Sequence, residues 1–144
     1  MFPKKFPYEI QVYISILSVD GENDADVLGM LGASAALCIS DIPFAGPMGA
    51  VRVGRVNGDF VINPTHSQLD QSDIDLLVSG TDDSIASVEG GAHEISEEEL
   101  VSALKFGHES IKELVEFQHQ LISAVGKEKL LVEEDPVDEE LITA

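Results

Sequence analysis

The stretch LGASAALCISDIPFAGPMGAVRVGRVNGDFVINPTHSQLDQSDIDLLVSGT, Leu31 to Thr81, decides how this chain folds. It reads as a helix of small residues, a Pro/Gly turn, a tight hairpin, an acidic loop and another strand. At its centre, AVRVGRV and DFVINP flank Asn57-Gly58. That dipeptide suits a type I′ turn, whose two central residues both need positive φ. In this register Val53 faces Ile62 and Arg55 faces Phe60, so Val51, Val53, Phe60 and Ile62 share one buried face. Arg52 falls on the opposite face, and Arg52 and Arg55 therefore do not form one basic patch.

Upstream, Glu9 to Asp20 alternates strictly, with Ile10, Val12, Ile14 and Ile16 on one side and Gln11, Tyr13 and Ser15 on the other. A period of two predicts a half-buried strand. The Asp/Asn/Gly-rich loop that follows offers Asn23 or Asp24 as the cap of a helix from Ala25 to Ser40. Gly29, Gly32, Ala33, Ser34, Ala35 and Ala36 fill the middle of that helix, which implies close packing on strands. Each Gly costs about 1 kcal/mol of helix propensity relative to Ala. Neither GxGxxG nor GK[ST] is present, so a phosphate-cradling loop is rejected.

Downstream, the acidic loop Gln68 to Asp73 leads into a strand from Ile74 to Ser79, a turn at Gly80 to Asp83 and a strand from Ile85 to Glu89. Gly90-Gly91 is expected to break that strand. Ser96 and Glu99 form a capping box for a long amphipathic helix carrying Leu100, Leu104, Ile111, Leu114, Val115, Leu121, Ile122 and Val125, with Gly126 as its stop. Beyond Lys127 the composition turns acidic around Pro136.

With 144 residues and 44% hydrophobic content the chain has the size and core material of about one domain. No apolar run reaches the roughly 20 residues of a membrane span, and MFPKKFPYEI lacks a signal-peptide core. Cys38 is the single cysteine, which excludes an internal disulfide and fits a reducing, cytoplasmic setting. The net charge of −19 speaks against direct nucleic-acid binding, because phosphate contacts need clustered Lys and Arg and only eight are present.

Other chemistry finds little support. Asp20 to Asp26 alternates acids as a calcium loop does, yet its sixth and twelfth positions hold Ala25 and Leu31 rather than Gly and Glu. Asp70, Asp73 and Asp75 are candidates for a Mg²⁺-binding cluster, with Asp73 and Asp75 expected on one face. The competing reading is an acidic loop running into a strand. His66, His93, His108 and His119 share no metal-ligand spacing, and no Ser/His/Asp triad is supported.

The motifs GASAAL, SDIPFAGPMGAVRVG, the Asn57-Gly58 hairpin, INPTHSQL and SDIDLLVSGT, followed by VEGGA and FGHESIKELVEFQ, together resemble the bacterial polynucleotide phosphorylases. The resemblance covers nearly all residues from Phe2 onward. It implies an α/β (α+β) fold: an RNase PH-like βαβ core with hairpins packed on helices, present as a partial domain. Residues 1–126 resemble the C-terminal half of the first RNase PH-type core domain. Residues 127–144, around Pro136 to Glu140, resemble an acidic linker or the start of the helical domain.

The resemblance implies a piece of a phosphorolytic 3′-to-5′ exoribonuclease that degrades RNA, with Mg²⁺ and inorganic phosphate used by the full enzyme and none bound by this chain. It implies a homotrimer, RNA reached through the full assembly, and no membrane. Laid on the acid- and lysine-bearing motif of the family's catalytic core, SDIDLL puts Asp75 on one acid, Leu77 on the lysine and Leu69 on the other acid. That is the pattern of the non-catalytic first core, so no catalytic or metal residue is carried over. Lys4 and Lys5 remain as candidate RNA contacts. The alternative is a free-standing acidic assembly or scaffold module without enzymatic activity. Strands that lack partners imply self-association or marginal stability in isolation.

Overall fold

A computed structural model describes residues 1–132 and contains, in order, α1 (Asp26–Ile39), β1 (Gly49–Val56), β2 (Asp59–Ile62), α2 (His66–Leu69), β3 (Ile74–Gly80), β4 (Ile85–Ala92) and α3 (Glu97–Val125). The strands form one antiparallel sheet in the order β2-β1-β3-β4. The α/β (α+β) class expected from the sequence is the class observed.

The hairpin has the expected register, Val53 opposite Ile62 and Arg55 opposite Phe60. Asn57 and Gly58 take φ of 54° and 90°, the positive pair that the turn requires. β3 then pairs with β1 so that Val51 meets Val78 and Val53 meets Leu76. These four, with Ile74, make one apolar sheet face.

Helix α3 covers that face. Ser96 and Glu99 close the capping box, with the Ser96 N–H donating to Glu99 Oε2 at 2.9 Å and the Glu99 N–H donating to Ser96 Oγ at 3.3 Å. The helix touches the sheet through Ala103, Gly107, Ile111, Val115 and Gln118, all buried. A Cβ on Gly107 would lie 2.9 Å from Val53 Cγ2, so the missing side chain sets how closely helix and sheet approach. Burying side chains such as Ile111 and Val53 stabilises by about 1.5–3 kcal/mol each. Gly126 ends the helix as expected, but with φ of −62° and ψ of 145°, an extended rather than left-handed cap.

The break expected at Gly90-Gly91 does not occur, and β4 continues to Ala92. Gly90 pairs with Leu76 at φ of 136°, and a Cβ there would lie 2.0 Å from the Asp75 carbonyl oxygen. The absent side chain of Gly90 lets β4 follow β3 through a contact that a Cβ would block, whereas Gly91 faces open space. The loop expected from Gln68 likewise begins inside α2, where Thr65 and Gln68 form a second capping box.

Two upstream expectations are corrected. Glu9 to Asp20 forms no strand, because alternation defines a face but a strand exists only with a ladder partner. Helix α1 is capped by neither Asn23 nor Asp24. Its N-cap is Ala25, without a side-chain bond, because the Asp24 carboxylate is turned toward His66 and Arg52. Asp20 instead organises the preceding loop, accepting the Asn23 and Glu22 N–H groups at 2.9 and 2.8 Å. Those bonds hold its carboxyl down at about 2.

Helix α1 buries only Val27, Ser34 and Cys38, so its small residues do not all pack on the sheet as expected. Ser34 Oγ accepts the Met48 N–H at 2.9 Å, and Gln118 Nε2 donates to the Met48 carbonyl at 2.7 Å. One peptide segment before β1 is thus held by both long helices. At the other end of α1, Lys129 Nζ donates to the carbonyls of Leu37, Cys38 and Ser40 at 2.9, 2.9 and 2.7 Å. The Lys127 N–H adds a bond to the Ile39 carbonyl. The ammonium satisfies carbonyls that a helix end leaves without partners. The expected linker around Pro136 lies outside the described residues.

Candidate functional site

Strand β1 presents Arg52 on one face and Arg55 on the other, and each collects acids from neighbouring elements. Arg52 is fixed at its backbone by Asn63, whose side-chain oxygen accepts the Arg52 N–H at 2.9 Å and whose own N–H returns to the Arg52 carbonyl at 2.7 Å. Asn63 adopts φ of 49° to do this, a conformation Asn tolerates.

The Arg52 guanidinium meets three carboxylates. Nη1 reaches Asp75 Oδ1 at 2.7 Å, Nη2 reaches Asp26 Oδ2 at 2.6 Å, and Nε lies 3.3 Å from Asp24 Oδ2. Burial works against its charge, yet the hydrogen bonds to Asp26 and Asp75 outweigh that and raise its pKa. Asp24 also faces His66 Nε2 at 3.0 Å, which raises the imidazole pKa.

On the other face Arg55 Nε donates to Asp73 Oδ1 at 2.8 Å, a second bond joins Nη2 to Oδ2, and Nη1 reaches Glu99 Oε1. The Ser96 N–H, followed by Arg55, holds the Glu99 carboxyl at about 2, and Arg55 keeps Asp73 below the usual carboxylate range. The start of α3 is thereby tied to β1.

The acidic cluster expected from Asp70, Asp73 and Asp75 does not assemble. Asp73 sits in the bend before β3 and serves Arg55, whereas Asp75 is inside the strand and serves Arg52 on the opposite face. Strict alternation applies only within a strand, and Asp73 precedes it. Asp24 and Asp26, from the loop and the start of α1, take the places beside Asp75. Only their cross-chain approach to Arg52 reveals this, and no local spacing encodes it. Among the described residues no group of three or more His, Cys, Asp or Glu could hold a metal ion.

Leu77 lies opposite Arg52 on β1 and Glu89 on β4, and Leu69 ends α2. Neither side chain can ligate a cation or a phosphate. A guanidinium already surrounded by three carboxylates also offers no net positive charge to an anion. The residues present do not fit Mg²⁺ or phosphate. His108 Nε2 lies 3.0 Å from the Thr81 carbonyl oxygen, a bond between α3 and the turn after β3.

Lys4 and Lys5 are exposed on a turn that the Phe6 N–H closes on the Pro3 carbonyl at 3.2 Å. That turn is anchored beside Phe44: Phe2 and Phe44 have ring centroids 5.3 Å apart, and the Ala45 N–H donates to the Met1 carbonyl. No helix among the described residues is long and apolar enough to cross a membrane.

Comparison with known proteins bears on this arrangement. Residues 46–110 match the model of the 3′ exoribonuclease family, domain 2, which takes in all four strands and the first half of α3. The chain is 50% identical over 141 residues to a polyribonucleotide nucleotidyltransferase of Bacillus velezensis, covering 98% of this chain and 20% of the relative. Similar proteins of the same name occur in Exiguobacterium sibiricum, 49% identical over 142 residues and 19% of its length, and in Chlorobaculum parvum, 52% identical over 129 residues and 18% of its length. The chain thus spans about a fifth of the length of the curated relatives it matches. Among solved structures, the cell-death-related nuclease 5 of C. elegans superposes with a TM-score of 0.60 at 20% identity, covering 72% of this chain and 58% of that one. That likeness supports the fold.

Proposed function

From its likeness to the polyribonucleotide nucleotidyltransferases over nearly its whole length, we propose that this chain belongs to that family and supplies non-catalytic core structure to a phosphorolytic 3′-to-5′ exoribonuclease acting in RNA degradation. One observation carries the non-catalytic part of the reading. Asp75, the sole acid at the three positions compared above, is bound to Arg52, and its companions are Leu69 and Leu77. The names of the relatives do not favour the alternative of a free-standing acidic scaffold.

In this reading Mg²⁺ and inorganic phosphate serve the full enzyme at residues outside this chain. The full enzyme is a cytoplasmic homotrimer. RNA passes the segment near Lys4 and Lys5, whose exposure on an anchored turn suits contact with a phosphate backbone. Their two charges act against a net charge of −19, so binding by this chain alone is weak and falls steeply with salt.

The test is a phosphorolysis assay with this chain, a short RNA, Mg²⁺ and phosphate. No nucleoside diphosphate release is expected, and turnover above background would overturn the non-catalytic assignment. Exchange of Lys4 and Lys5 for Glu, read by fluorescence anisotropy with the same RNA at low salt, is expected to abolish the residual binding. Unchanged binding would remove both lysines from the RNA path.

A further inference from the structure

One carboxylate of the Arg52 cluster is shared between two cations. Asp24 Oδ1 lies 3.0 Å from His66 Nε2, and Asp24 Oδ2 lies 3.3 Å from Arg52 Nε. The first contact is a hydrogen bond, whereas the second is not aligned as one. Among the described residues, Arg52 Nε is buried and has no hydrogen-bond partner. A buried donor in that condition is rare enough in folded proteins to call for a reason. Beside it lies a cavity of about 20 Å³ lined by Asn23, Asp24, Val27, Arg52, Asn63 and Pro64. One water needs about 10–15 Å³, so a carboxylate oxygen has room to shift there.

The two cations compete unequally. Arg52 already holds Asp75 at 2.7 Å and Asp26 at 2.6 Å, so two carboxylates offset its charge without help from Asp24. His66 is the accessible one, with its side chain 50% exposed against 18% for Arg52, so solvent protons reach it. The imidazole is faced by Asp24 and Asp20 from the loop before α1, and by the Gly21 carbonyl, which also accepts from the ring. Helix α2 carries no other charged side chain. Behind Asp24 stands Arg52 of β1, with Asp26 of α1 and Asp75 of β3 on its far side. A charged imidazolium therefore draws Asp24 from a guanidinium that is already neutralised, and a neutral imidazole gives up that pull.

We propose that Asp24 is a two-position carboxylate switched by the proton on His66: it binds the imidazolium when His66 is charged, and completes the bond to Arg52 Nε when His66 is neutral. In the first position the loop before α1 is tied to α2. In the second it is tied to β1, and α2 stays on the loop through the His66 N–H bond to the Glu22 carbonyl at 2.8 Å. Histidine titrates in the range where such a switch is useful to a cell. The Asp24 hydrogen bond, above all, raises the proton affinity of His66, so the change is centred above the ordinary 6.5.

NMR of the full chain from about pH 5 to about pH 8 tests this. The His66 ring carbons and the Arg52 Nε nitrogen, the latter by carbon detection, are followed in the same samples. Both are expected to shift with one midpoint above 6.5, Arg52 Nε moving to its hydrogen-bonded position as the pH rises. Asp24→Ala is expected to return the His66 midpoint toward 6.5 and to abolish the Arg52 step. His66→Ala, a change at a half-exposed ring, is expected to hold Arg52 Nε in the bonded position at every pH. An Arg52 signal that stays constant in the parent chain overturns the proposal. So does one that shifts with a midpoint different from that of His66, or a step that survives His66→Ala.

Discussion

Arg52 of β1 and Asp75 of β3 close on each other at 2.7 Å across the sheet, two residues out of direct register, since Arg52 pairs with Leu77 and Gly54 with Asp75. The diagonal places the guanidinium where Asp26 and Asp24 also reach it. A fixed cation therefore holds the middle of three carboxylates, where a mobile cation would otherwise be drawn.

Removing that cation exposes the repulsion it neutralises. Arg52→Ala is expected to destabilise the chain by about 1–3 kcal/mol, the range for a polar group left without its partner. Thermal melts with and without millimolar Mg²⁺ check the cause. The divalent ion should recover part of the loss in the variant and leave the parent protein unchanged.

Gly107 tests the contact between α3 and the sheet. Ala in its place gains about 1 kcal/mol of helix propensity. Its methyl group, however, enters a space 2.9 Å from buried Val53, and overpacking of this kind costs about 1–3 kcal/mol. Steric cost wins, so Gly107→Ala should lower the denaturation midpoint. Combining it with Val53→Ala should cost less than the sum of the two single changes, read by urea unfolding.

Acid should loosen the start of α3. Glu99 titrates near 4.5 when unfolded and is held at about 2 when folded. A depressed folded value contributes stability that is complete above the unfolded value and is lost as pH falls through the folded one. Asp73, also depressed, acts in the same direction. The melting temperature should fall as pH drops from about 4.5 toward about 2. Arg55→Gln, which removes the shared partner, should flatten that fall.

Lys129 should control access to Cys38. Burial pushes the Cys38 thiol up, so labelling of the native protein by a thiol reagent is expected to be slow. Lys129→Met takes the ammonium away from the Leu37, Cys38 and Ser40 carbonyls. Faster labelling and earlier hydrogen exchange over the last turn of α1 are the expected readouts. Equal rates would show that the cap does not hold that turn closed.

The elements legible in the sequence were those specified locally. Asn57-Gly58 fixes its hairpin through the φ of two residues, and Ser96 with Glu99 fixes the start of α3 within one turn. What was not legible depends on residues far apart. Gly90 looks like a strand breaker until the Asp75 carbonyl opposite it is known, and Glu9 to Asp20 looks like a strand until its partner is sought. The acids around Arg52 come from a loop, a helix start and a strand, so no spacing announces them. Leu69 and Leu77 were legible only through likeness to a family, because two leucines in themselves point to nothing.

The Met48 backbone, gripped by Ser34 from α1 and by Gln118 from α3, makes the two long helices answerable to one peptide. Neither can be prised off without stripping a half-buried backbone group of its mate, so partial melting has no cheap first step. Heating should therefore dismantle both helices in a single calorimetric event, with no plateau between them.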